Sequence, residues 1–220
     1  LGSNWYALTI FRKFFQDGYI LGTNNKWYKA SDCVWQAPFV LSGCHDVSTT
    51  YPHLEEFFVG KLGIKKVTPG MLIGEINKMV NKKTPKYDKV RKRLIEVGMV
   101  LAKSDLDKEA KHALQSLSKA KFLPQRHANG SEALLGISAK YVIADHPRYH
   151  SAFSEDGMID IFLDFTVEEV QIMNVMFEHL DIQKYYLSSL VVEKSDIEGE
   201  VEEDGSLSKR LQDKAYALYW

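Results

Sequence analysis

Cysteine is scarce in this chain: Cys33 and Cys44 are the only two in 220 residues. Two are too few for a disulfide framework, so the expectation is a pair of reduced thiols in a reducing compartment. No apolar run reaches the roughly 18–20 residues that a membrane-spanning helix needs, and no membrane partner is expected. Phosphate-cradling signatures are missing as well. Neither Gly-x-Gly-x-x-Gly nor Gly-x-x-x-x-Gly-Lys-Ser/Thr occurs, and Gly60, Gly63 and Gly70 are scattered around expected helix boundaries, where glycine serves the backbone. The Gly-x-Ser-x-Gly turn that exposes a serine nucleophile is also absent. An excess of charge is lacking too: 28 Lys and Arg against 29 Asp and Glu leave a net charge of -1, which gives no global pull toward nucleic acid or acidic lipid. The first residue is Leu1, without an initiator Met or a basic-then-apolar leader. The expectation is a segment of a larger intracellular protein, cytoplasmic or nuclear.

What is present is ordinary globular material. A 45% hydrophobic content with 26% charge argues against disorder. A chain of this length buries roughly 70–75% of its unfolded surface, so it folds without metals or disulfides. Residues 5–15 place Trp5, Leu8, Ile10, Phe11, Phe14 and Phe15 at helical spacing, closed by Gln16-Asp17-Gly18, and predict a helix with one broad face buried. From 19 to 36 short aromatic and β-branched pieces around Gly22 and Asn24-Asn25 predict a hairpin or paired strands, with Trp27 and Trp35 in one aromatic cluster.

The middle of the chain reads as helical from Pro52 to Ala120. Pro52, Pro69 and Pro85 each suit a first helical position, and Thr68 and Thr84 precede the latter two as N-caps. Tyr87, Val90, Leu94, Val97 and Leu101 form one apolar stripe, and a further helix near Asp107 turns Leu106, Ala110, Ala113, Leu114 and Leu117 inward. Tyr141-Val142-Ile143 and residues 159–165 predict strands. In the second, Ile159, Ile161, Leu163 and Phe165 share one face, and Asp160 and Asp164 take the solvent side. Thr166-Val167-Glu168-Glu169 is a capping box, opening a helix with Val170, Met173, Phe177 and Leu180 inward. A short strand near 187–192, a polar loop over 195–206 and a helix from Leu207 follow. The predicted fold class is α+β, helix-rich, with small strands packed on a helical middle section. It is organised as a helix-rich portion over 1–120 with a short aromatic hairpin and a mixed portion over 121–220, or as one continuous domain.

Chemistry-bearing residues are few. Cys33, Cys44, His45 and His53 are zinc ligands by type, but they lack the Cys-x-x-Cys or His-x-x-x-His hooks that place two ligands together locally. Asp145-His146-Pro147-Arg148-Tyr149-His150 follows a predicted strand, where catalytic groups gather. The simpler reading is a strand end and a polar turn, with Pro147 holding His146 extended. Cys44 and His45 are adjacent, and alternation along a strand sends neighbours to opposite faces. No catalytic, cofactor-binding or metal-ligating residue is therefore assigned, and no cofactor is expected. A hydrolase or transferase built on Cys44, His45 and His146 stays as the alternative.

Charge is patterned locally. Lys78, Lys82, Lys83, Lys86, Lys89, Arg91, Lys92 and Arg93 face one opposing acid, Asp88, whereas Glu193 to Asp204 holds seven acids against Lys194. A basic helix can track phosphates, but no aromatic residues interleave to stack bases, so a solvated or intramolecularly paired face is expected and nucleic-acid binding ranks third.

Two blocks carry a family resemblance. The first runs Lys26-Trp27-Tyr28-Lys29-Ala30-Ser31-Asp32-Cys33-Val34-Trp35, then Tyr51-Pro52-His53-Leu54-Glu55-Glu56-Phe57-Phe58 and Leu62-Gly63-Ile64. The second is Tyr186-Leu187-Ser188, an acid- and glycine-rich loop, and Lys214-Ala215-Tyr216-Ala217-Leu218. In these the chain resembles a downstream region of large, mostly fungal proteins related to sacsin and plant NO VEIN, which carry a GHKL-type ATPase domain elsewhere. The ATP site of that domain needs an Asn-bearing helix and an Asp-x-Gly-x-Gly turn, and this sequence has neither, so the resemblance implies no ATPase activity here. It implies a non-catalytic structural or protein-interaction segment of a chaperone-like or scaffold protein, its partners being other domains of the same parent chain or other proteins.

Overall fold

The computed structural model of the chain describes residues 3–17, 19–104, 106–154, 161–193 and 205–210. It is an α+β, helix-rich fold. Its contacts divide into one unit over residues 1–190 and a second over 191–220, in which 205–210 are helical. Gly18, Ile159, Asp160, residues 194–204 and Lys214–Leu218, all used in the sequence reading, lie outside the described residues, as do the side chains of Trp5 and Phe11.

The helices of the first unit begin with α1 (Ser3–Gln16), α2 (Pro69–Val80), α3 (Tyr87–Leu101) and α4 (Lys108–Leu117). The caps explain where two of them start. Thr68 accepts a hydrogen bond from the Met71 amide ahead of Pro69, and Asp107 accepts one from the Ala110 amide, so each satisfies an orphan donor. Pro85 and Thr84 do not open α3 as expected. The helix begins two residues later, after Lys86 in an extended conformation with no side-chain cap. Pro52 likewise opens only a turn, followed by a π-helical stretch over Glu56–Lys61.

The stripe on α3 is buried along its whole length, from Tyr87 to Leu101, and packs against α6 (Val167–His179). The two helices approach closely at Gly98. A Cβ there would stand 2.8 Å from Met173 Cγ and 3.3 Å from the Ile172 carbonyl oxygen. The capping box at the start of α6 is formed, Thr166 accepting from the Glu169 amide and Glu169 from the Thr166 amide. Val170, Met173, Phe177 and Leu180 are buried as the spacing predicts. Contacts among α3, α6 and the strands that follow α4 carry the core across residue 120, so the portions expected on either side share it.

Small strands edge this core. β1 (Ile20–Leu21) and β2 (Trp27–Tyr28) pair antiparallel as a hairpin. β3 (Cys33–Trp35) lies between β4 (His45–Asp46) and β5 (Lys65–Lys66), parallel to both. Its three residues are all buried. Alternation sends Val34 into the helical core and Cys33 and Trp35 into a second, aromatic cluster with Ile20, Val47, Phe58 and Ile64. β3 is therefore the wall between two cores.

A second hairpin, β6 (Leu123–Arg126) with β7 (Glu132–Leu135), was not anticipated. Its Asn129-Gly130 turn, with Gly130 at φ 80°, is a strong hairpin signal. Of the strands expected at 141–143 and 159–165, the described residues form single bridges, Val142 with Phe162 and Gln125 with Leu163. The strand expected near 187 is a helical turn, α7 (Leu187–Leu190), and Pro147 opens α5 (Pro147–Ser154).

Candidate functional site

The enzymatic alternative needs Cys44, His45 and His146 to meet. The His45 ring lies 3.4 Å from that of Tyr28, whereas the His146 ring lies 5.0 Å from that of Tyr149, just before α5. No hydrogen bond, ion pair or ring contact joins the three among the described residues. Cys44, His45 and Asp46 do line a small cavity of about 270 Å³. Asp46, however, already accepts from the Gln36, Ala37 and Ser48 amides and so holds the turn after β3 together. Burial pushes the Cys33 thiol up to about 12, helped by Asp32 and Cys44, which keeps it protonated and unreactive near neutral pH. Cys33, Cys44, His45 and His53 form no metal-holding cluster among the described residues. Cys33 is inside the aromatic core and His53 sits on an exposed turn.

Asp164 departs from its expected solvent position. It accepts from the Tyr87 hydroxyl at 2.8 Å, its carbonyl accepts from Arg91 Nε at 2.7 Å, and Arg126 Nε stands 3.5 Å from its carboxylate. Arg91 reaches on to Glu169 at 2.6 Å. Of these groups Arg91, Arg126 and Asp164 edge a cavity of about 590 Å³ together with His127, His150 and Phe162. Both guanidinium groups are met by carboxylates, so the network fastens α3 and β6 to the start of α6. The Tyr87 hydroxyl is raised above the ordinary phenol range, first by burial and then by its hydrogen bond to Asp164.

The largest departure lies on α1. Its inner side touches the aromatic cluster through Phe15, whose ring meets Phe57 edge-on at 5.9 Å, and Arg12 Nε donates to the Lys61 carbonyl at 2.8 Å. Of the broad buried face expected for this helix, the described side chains divide: Leu8 and Phe15 are half-buried, and Ile10 and Phe14 are exposed. Tyr6 is 68% exposed, Ile10 55% and Phe14 52%. Spaced four apart, they make one stripe along the outer side. Tyr19 extends it by stacking on Phe14 at 4.1 Å. Trp27, expected beside Trp35, is 64% exposed on β2, while Trp35 is 1% exposed. Register explains the split. Trp27 and Tyr28 are successive strand residues that point to opposite faces, and it is Tyr28 that packs on the cluster.

The basic run is also rearranged. It is not one helix but the end of α2, the 81–86 turn and the start of α3. Its single acid, Asp88, is directed to Arg126 at 3.6 Å.

Comparison with protein families matches residues 70–191 to DUF8348, a domain of unknown function. The chain belongs to the DUF8348 family. No curated protein and no solved structure matches it. The DUF8348 match takes in the helical core from α2 to α7 and leaves α1 and β1 to β5 outside. Among the described residues of this DUF8348 member, no helix is long and apolar enough to cross a membrane.

Proposed function

We propose that the chain is a non-catalytic protein-interaction segment of a larger chaperone-like or scaffold protein, of the kind related to sacsin and plant NO VEIN. The carrying observation is the Tyr6, Ile10 and Phe14 stripe with Tyr19. Contiguous exposed apolar surface is uncommon on soluble domains and marks contact surfaces. The partner is the apolar face of a helix, in another domain of the same parent chain or in another protein. A ridge of residues four apart is complementary to the groove between such rows on a second helix. The first block of the family resemblance supports the reading from its own side. Cys33, Val34, Trp35, Phe58 and Ile64 are buried, so that block specifies the scaffold that holds α1 and not a reacting centre. Two free thiols fit a reducing cytoplasmic or nuclear setting.

Site-specific photocrosslinking tests it. With Ile10→p-benzoylphenylalanine in the natural host protein, illumination is expected to yield one discrete product, either within the parent chain or with a second protein. The same group at Lys111, an exposed residue of α4, is expected to yield none. Equal labelling from both positions, or none from Ile10, overturns the proposal.

A further inference from the structure

The end of α2 and the start of α3 enclose a cavity of about 370 Å³ lined by Lys82, Lys89, Lys92 and Arg93, with Val40, Met79, Ser42 and Glu75 as its other walls. We propose that this cavity is a binding site for a compact polyanion bearing closely spaced phosphates, a function separate from the α1 contact surface.

Four cations line the cavity with one carboxylate, Glu75, which is committed to Ser42, while Glu96, outside the lining, pairs with Arg93 and Lys92 only. Glu75 is 4% exposed and accepts from the Ser42 amide at 3.1 Å and from the Ser42 hydroxyl, which pins the 39–44 loop onto α2. Glu96 lies 2.5 Å from Arg93 and 4.0 Å from Lys92. Neither acid forms an ion pair with Lys82 or Lys89, and no ion pair among the described residues takes up Lys78, Lys83 or Lys86 of the same turn. Asp88, the only acid within the run, is drawn away to Arg126.

One of the four cations, Arg93, is also held in place. The Arg93 guanidinium lies over the Phe39 ring at 4.0 Å, which fixes one wall. Lys89 stands three and four residues before Lys92 and Arg93 on one face of α3, a like-charge arrangement that disfavours the empty helix and is relieved by a bound anion. A concave site with four cations against one carboxylate focuses potential more than an open stripe does.

Shape and lining favour a small ligand over a nucleic acid. The volume lies at the low end of small-molecule sites. No aromatic side chain lines the cavity for a base to stack on, and the remaining apolar walls are Val40 and Met79. The amide cradle of a nucleotide-binding loop is absent from the sequence, so recognition here rests on side-chain charge.

Titration calorimetry of the 220-residue chain with sodium tripolyphosphate, at ~150 mM salt, is the test. A dissociation constant below ~100 µM is expected for the wild type. The Lys82→Gln, Lys89→Gln, Lys92→Gln variant is expected to bind at least ~10-fold more weakly, while Lys111→Gln with Lys119→Gln binds as the wild type does. All five positions carry exposed or partly exposed side chains, and unchanged melting curves confirm that both variants fold. No binding up to ~1 mM overturns the proposal, as does equal weakening by the two variants. A 20-nucleotide single strand is titrated in parallel. If it binds more tightly than tripolyphosphate and loses that affinity in the triple variant, the cavity is part of a nucleic-acid surface and the compact-ligand assignment fails. Neither result bears on α1 crosslinking, so the two readings stand or fall separately.

Discussion

The helical core and the N-terminal aromatic cluster bury their apolar residues by different means. In α3, α4 and α6 every position of the predicted inner stripe is buried or partly buried, because 10 to 15 residues of one periodicity fix which face points inward. The N-terminal part relies on strands of two or three residues, where a single register step decides whether an aromatic ring lies inside or out. Trp35 and Trp27 fall on opposite sides of that choice. The family match follows the same line, since it spans the helical core and ends short of the aromatic cluster. The region with more apolar surface left over is thus the one outside the matched residues, and it carries the proposed contact face.

Truncating the centre of each core gives the largest expected effects. Phe177→Ala and Trp35→Ala should each cost about 3–5 kcal/mol, read from urea unfolding followed by circular dichroism. An unaltered curve for Trp35→Ala alone would break the comparison, because it would make the aromatic cluster a surface feature and not a second core.

Next comes the closest approach of the helices. Gly98→Ala presses a methyl group onto Met173 and the backbone of α6, and about 1–3 kcal/mol of destabilisation is expected. The same change at Gly74, where a Cβ would meet nothing within 4 Å, should be harmless or mildly stabilising. Equal effects at both glycines would contradict the α3–α6 packing.

Alkaline pH sharpens the aromatic side. Cys33 has its folded value pushed up to about 12 from 9.0, so its contribution is fully present below pH 9 and is lost as pH rises toward 12. Roughly 1.4 kcal/mol is forfeited per pH unit within that window, to order of magnitude. The melting midpoint should fall from pH 9 to 10.5, and Cys33→Ala should flatten the fall. A variant with the same slope would assign the loss to Tyr87 and Tyr141, whose hydroxyls are also raised by burial. Thr166→Ala, which opens one half of the capping box, should cost about 1 kcal/mol by the same unfolding measurement.

The helical stripes, the caps at Thr68 and Thr166, and the fold class were legible because each rests on local spacing or a local hydrogen bond. The parts that were not legible depend on distant partners. Asp164 looks like the polar half of an alternating strand until Tyr87, Arg91 and Arg126 are brought to it from 77, 73 and 38 residues away. Glu75 sits among buried neighbours on α2, and only the Ser42 loop explains why a carboxylate is there. The basic run crosses the helix start expected at Thr84-Pro85, and its folding around the 81–86 turn is what gathers the lysines. Only the β6–β7 hairpin was announced locally, by Asn129-Gly130.

The outer face of α1 decides the central claim. Tyr6→Ala, Ile10→Ala and Phe14→Ala together should leave the unfolding midpoint within about 2 °C of the wild type, since exposed substitutions shift stability by about 0.5 kcal/mol or less. The same triple variant should lose the crosslinked product formed from a benzophenone at Tyr19. A fall of more than about 5 °C with the product retained would contradict the account, because the stripe would then serve the chain's own core and not a partner.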